Sequence, residues 1–98
     1  MLVKNMHSGS NGGGWLTKWK NYKCITGDVM CSCCRERKAV HGGHVIKASS
    51  NATKEWYIVP LCADCNEGKE GTGEFFVYDN EAVRVTELER SSKIMEKY

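Results

Sequence analysis

The chain has 98 residues, 41% of them hydrophobic, which suits one small domain that buries a modest share of its surface and gains from extra cross-links. Its formal net charge of +2 is far from the strongly basic balance that by itself announces a nucleic-acid binder. No run approaches the roughly 18 apolar residues of a membrane span, and the start lacks the apolar core of an export signal.

A cytoplasmic location is therefore expected, where thiols stay reduced and the sequon Asn51-Ala52-Thr53 carries no meaning. Residues 1–14 are polar and rich in glycine, and read as a mobile arm before a single domain over 15–98. From Gly14 to Lys23 the apolar positions Trp15, Leu16, Trp19 and Tyr22 follow helical spacing, with three lysines on the other face. This predicts a short amphipathic helix whose tryptophans serve the core. Gly27 and Asp28 mark a turn. Residues 39–47 read as extended segments broken at Gly42-Gly43, and Ser49 to Thr53 as a loop. Glu55 to Leu61 reads as a strand ended by Pro60. The glycines between Asn66 and Gly73 permit only a brief helix. Glu74–Tyr78 and Ala82–Thr86, joined at Asp79-Asn80, predict a β-hairpin, and Thr86 with Glu89 fits a capping box for a last helix ending at Tyr98.

Cys31-Ser32-Cys33-Cys34 and Cys62-Ala63-Asp64-Cys65 each contain a C-x₂-C pair. Such a pair forms a tight loop that aims two thiolates at one ion, and two pairs make a tetrahedral zinc site. Cys31, Cys34, Cys62 and Cys65 are thus the expected ligands of a structural Zn²⁺, closed to water. Cys33 lies within reach as a substitute, but pairing it with Cys31 would leave one intervening residue. Cys24 is the odd thiol, read as a small hydrophobe behind the helix.

Cys31-x₂-Cys34, then Gly43-His44-Val45, then Tyr57-Ile58-Val59-Pro60-Leu61-Cys62-x₂-Cys65-Asn66-x₂-Lys69 resembles the zinc-containing branch of the HNH endonucleases, over about residues 31–70. The resemblance implies a treble-clef, ββα-metal finger within a small α+β zinc domain, flanked by the N-terminal amphipathic helix and the C-terminal hairpin and short helix. It implies phosphodiester hydrolysis with His44 as general base, Asn66 as ligand of a catalytic Mg²⁺ or Mn²⁺, and Lys69 as the helix lysine. This chain departs from that pattern at two places. Gly43 stands where the family has a metal-binding Asp, and Tyr57 where it has the Asn that orients the histidine, with Asn51 a distant substitute. A hard divalent ion without its carboxylate loses its main anionic ligand. His41, three residues before His44, falls on the opposite face of a regular strand.

Charge is unevenly spread: residues 1–47 carry eight Lys/Arg against two acidic side chains, and residues 48–98 carry six against ten. Asp64, Glu67, Glu70 and Glu74 surround Lys69, where a nuclease must accept phosphate. The expected function is a zinc-stabilised HNH-like binding module without nuclease activity, engaging nucleic acid through its basic half or protein through its acidic half. An active metal-dependent endonuclease is the first alternative, and a small inhibitor or adaptor with an acidic interaction surface the second.

Overall fold

The run Tyr57–Leu61 is buried at every position, as a strand must be when both its faces are covered. It is the third strand of the computed structural model, which describes residues 1–6, 14–49, 55–67 and 73–96, with side chains as far as Ser91. In chain order the elements are β1 (Leu2–Asn5), α1 (Trp15–Lys23), β2 (His41–Lys47), β3 (Tyr57–Leu61), α2 (Ala63–Glu67), β4 (Glu74–Phe76), a 3-10 turn (Asp79–Glu81), β5 (Val83–Arg84) and α3 (Val85–Glu96). The strands form one antiparallel sheet in the order β4-β1-β2-β3-β5. No helix among the described residues is long and apolar enough to cross a membrane.

Alternation along the strands sorts the core into two layers. Val3, Val45, Tyr57, Val59 and Leu61 point to one face and pack with Cys31, Cys62, Cys65 and Val77. Ile58 points to the other and packs with Trp19 of α1, Val83 of β5 and Leu88 of α3. The first is the cysteine face of the sheet, the second its helix face.

Five features differ from the sequence reading. Leu2–Asn5, expected within a mobile arm, is a strand between β2 and β4, with Val3 and Asn5 buried. Four residues suffice because they fill an existing slot; residues 7–13 lie outside the described residues. The glycine pair does not break β2, which runs through it. A Cβ on Gly42 would lie 2.7 Å from Leu16 N and from Trp15 C and Cβ, so its absence lets α1 lie close on the sheet. Pro60 does not end β3. It lies beyond the two residues that pair with β5, and on that side its carbonyl accepts from Ser32 N–H at 2.8 Å, so no ladder hydrogen bond is lost.

The expected C-terminal hairpin is absent: β4 and β5 lie on opposite edges of the sheet. β4 pairs instead with β1, and the 3-10 turn carries the chain across, fastened to α1 by Trp19 Nε1, which donates to Glu81 O at 2.9 Å. The last helix begins at Val85, so Thr86 sits in its first turn and does not cap it. Trp56 O takes Val85 N–H at 2.9 Å in place of a side-chain cap.

The tight approach of α1 makes Gly42 a sensitive position. Gly42→Ala is expected to lower stability by about 1–3 kcal/mol through overpacking. A shift of the urea midpoint at unchanged slope measures it.

Candidate metal centre and the two faces of the sheet

The first cysteine pair is set by its backbone. A bridge between Met30 and Lys38, with Ala39 N–H donating to Val29 O at 2.8 Å, closes the loop. Inside it, Cys31 N–H donates to Arg37 O at 2.8 Å and Arg35 N–H to Cys31 O at 3.0 Å. Arg35 turns the chain with φ of 60°, a left-handed conformation that usually falls to glycine. What holds it is Glu81, whose carboxylate takes Arg35 Nη2 at 2.9 Å, Ser32 Oγ at 2.7 Å and Tyr78 N–H at 2.8 Å. Burial alone would raise the Glu81 pKa, but these hydrogen bonds outweigh it and hold the group below the usual carboxylate range. The Arg35 guanidinium also lies 5.0 Å over the Tyr78 ring.

The second pair sits where β3 passes into α2. Asn66 N–H donates to Cys62 O at 3.0 Å. From the far end of the chain, Asn5 Nδ2 donates to Cys65 O at 3.3 Å and to Asn66 O at 3.0 Å. The two loops bring the Sγ atoms of Cys31, Cys34, Cys62 and Cys65 within 4.8 Å of one another, with Cys34 and Cys62 at 4.0 Å. Zn–S bonds of about 2.3 Å in a tetrahedron require S···S separations of about 3.8 Å. The cluster is consistent with a structural zinc site.

The thiols sit in unlike environments. Backbone N–H groups of Glu36 and Arg37 point at Cys34 Sγ and help pull its pKa down to about 7, while Cys33 N–H lies 3.4 Å from Cys31 Sγ. Burial, then hydrogen bonding among the thiols, pushes Cys65 far up. Without an ion, one thiolate in such a cluster raises the cost of the next. Cys33 is half-buried against the cluster, its pKa raised chiefly by burial, and Cys24 is exposed away from it. Comparison with protein-family models, curated proteins and solved structures finds no match.

Of the residues singled out by the HNH resemblance, His44 and Asn66 lie on opposite sides of the sheet. A Cβ on Gly43 would overlap Leu61 Cδ1 and lie 3.2 Å from Asn66 Oδ1, so Gly43 and Asn66 share the cysteine face. His44, the next residue on β2, points to the helix face. There its ring stands edge-on to Trp15 at 5.2 Å and to Trp56 at 5.6 Å. Tyr57 is buried on the cysteine face, its hydroxyl donating to Glu55 Oε2 at 3.1 Å. Lys69, Asn51 and Glu70 lie outside the described residues.

Burial between the indoles lowers the His44 pKa below its ordinary value of 6.5. The unfolded chain then binds the proton more readily than the native one, so the contribution is complete above about pH 6.5 and is lost as pH falls. The stability of wild type is expected to fall more steeply below pH 6.5 than that of His44→Gln, as read from urea midpoints at matched zinc concentration.

Ion pairs between the two halves offset part of the charge asymmetry of the sequence. Arg35 pairs with Glu81 at 2.9 Å, Arg37 with Asp64 at 3.3 Å and Lys38 with Asp28 at 3.1 Å. Such exposed pairs add little stability, about 0–1 kcal/mol each, but they remove free charge of both signs. Lys18 and Lys20 of α1 form no ion pair among the described residues, and Lys18 Nζ lies 4.4 Å over the Trp15 ring. Asn5, Glu81 and Trp56 escape a sequence reading, because each acts on a partner distant in the chain or on the opposite strand.

Proposed function

We propose that Cys31, Cys34, Cys62 and Cys65 hold one structural Zn²⁺ in a treble-clef-like knuckle, hairpin and helix, and that the domain binds nucleic acid without cleaving it. The ion supplies cross-linking and charge neutralisation; four thiolates leave no position for water or substrate. The expected reducing, cytoplasmic setting suits such a site.

One observation carries the nucleic-acid reading. The carboxylates of Glu81 and Asp64 are paired to the knuckle's Arg35 and Arg37, while Lys18 and Lys20 of α1 form no ion pair among the described residues and Lys18 stands over the Trp15 ring. Basic groups interleaved with an aromatic ring suit phosphate and base contacts. Against catalysis stands the sheet itself, which puts His44 and Asn66 on opposite faces. A second reading, a protein partner, draws on the exposed Phe76 and Tyr78 at the β4 edge.

Fluorescence anisotropy with a labelled single-stranded oligonucleotide between 50 and 200 mM salt separates the two readings. Binding is expected to weaken with salt, and the log–log slope to become shallower by about 0.7 for each of Lys18→Ala and Lys20→Ala. Absence of binding at low salt would leave the protein-partner reading.

A further inference from the structure

At the end of the sheet where β3, β5 and the start of α3 meet, a cleft of about 290 Å³ is lined by Glu55, Trp56, Arg84, Val85 and Thr86. It is at the small end of the roughly 300–1,000 Å³ typical of ligand sites, a size for one planar ring and not for a folded peptide. We infer that this cleft seats a single unstacked nucleobase carrying an exocyclic amine. The inference rests on the nucleic-acid reading and gives it a site.

The lining groups match such a base. Trp56 offers an aromatic surface for stacking, which every base can use. Glu55 is an acceptor, held in place by the Tyr57 hydroxyl at 3.1 Å. Arg84 is a donor 3.8 Å from it, and both are more than half exposed, so their loose ion pair leaves capacity for a ligand. A carboxylate beside a guanidinium complements a base edge that presents an amine next to an acceptor, as cytosine, adenine and guanine do. Thymine and uracil lack the amine. Glu55 also disfavours a phosphate in the cleft, which places the backbone elsewhere.

The path for that backbone is adjacent. Trp15, His44 and Trp56 follow one another at 5.2 and 5.6 Å between ring centroids, linking α1 to the cleft. Lys18, over Trp15, then faces the phosphates at the far end of this aromatic run. This aromatic run on the helix face ends at the cleft, which Glu55 and Arg84 flank from the side of Tyr57.

Short single-stranded oligonucleotides test the assignment: oligo-dC, oligo-dT and an oligomer of equal length that is abasic at every position. The abasic oligomer is expected to bind about tenfold more weakly than oligo-dC, the loss of one base–aromatic stack, and dT to fall between them. Glu55→Gln, at an exposed position, is expected to reduce the dC-over-dT preference while keeping zinc content and the salt slope. Trp56 fluorescence, assigned by comparison with Trp56→Phe, is expected to be quenched by dC and not by the abasic chain. Equal affinity for abasic and base-bearing oligomers, or a preference unchanged by Glu55→Gln, would overturn the cleft assignment while salt-dependent binding kept the parent reading. No binding of any oligomer would remove both.

Discussion

Cys62→Ser is expected to abolish the folded, metal-bound state, and Cys24→Ser to leave it unchanged. Cys62 is buried at the junction of β3 and α2, 4.0 Å from Cys34 across the cluster. Losing one of four thiolates there removes a large part of a metal-binding free energy that reaches about 10–16 kcal/mol in small zinc domains. That exceeds or matches the roughly 5–15 kcal/mol by which ordinary domains are stable. Cys24 instead ends α1 in a left-handed conformation, exposed and outside the cluster. Elemental analysis and far-ultraviolet circular dichroism of reduced protein measure both effects. Equal metal loss in the two variants, or zinc retained at one equivalent in Cys62→Ser, would mean that the four ligands are wrongly chosen.

Purified zinc-loaded protein is expected to nick plasmid DNA no faster than background with Mg²⁺ or Mn²⁺, and Gly43→Asp is expected not to rescue it. Hydrolysis needs a base and a metal-stabilised leaving oxygen on one substrate. His44 faces two indoles on the helix side, whereas Asn66 lies with Gly43 on the cysteine side. Placing at Gly43 the carboxylate of the HNH pattern would drive a Cβ into the buried Leu61 side chain. Overpacking of this kind costs about 1–3 kcal/mol, and enclosing a carboxylate adds to it. Gly43→Asp is therefore expected to destabilise the domain without bringing Mn²⁺ beside His44, so the His44 ring protons should show no selective paramagnetic broadening. Cleavage abolished by His44→Ala would overturn this reading and restore the endonuclease alternative.

Local chemistry was legible in the sequence where one short segment carries it. C-x₂-C spacing marks each half of the cluster, because the loop geometry lies within four residues. Helical spacing placed α1 within one residue, and the run before Pro60 marked β3. Partnership between segments was not legible. Leu2–Asn5 is too short for its pattern to exceed that of a polar tail, and its strand exists because β2 and β4 present free edges. Gly42-Gly43 punctuates an isolated strand, yet the missing Cβ atoms are what the packing requires, under α1 at Gly42 and against Leu61 at Gly43. The residues around Asp79-Asn80 suit a hairpin turn, but Glu81 is worth more bound to Ser32 and Arg35 than as one residue of a tight loop. The site followed the same division: motif spacing found the thiols, while pairing of His44 with Asn66 assumed that residues near in a motif share a side of the sheet.

The place of β1 between β2 and β4 bears on the order in which the domain assembles. Cys34 and Cys62 are 28 positions apart, whereas Asn5 and Asn66 are 61 apart and Met1 and Val77 are 76 apart. Closing the longer loops costs more chain entropy before any contact rewards it. Metal capture with the β2–β3 pair therefore makes the natural nucleus. The first strand of the sequence becomes a late arrival, threading between one edge already built and another that follows it in the chain. Until it docks, Val45 and the back of the thiolate cluster stand open to solvent, so the chain's opening residues act as the closing seal of a domain whose centre they precede.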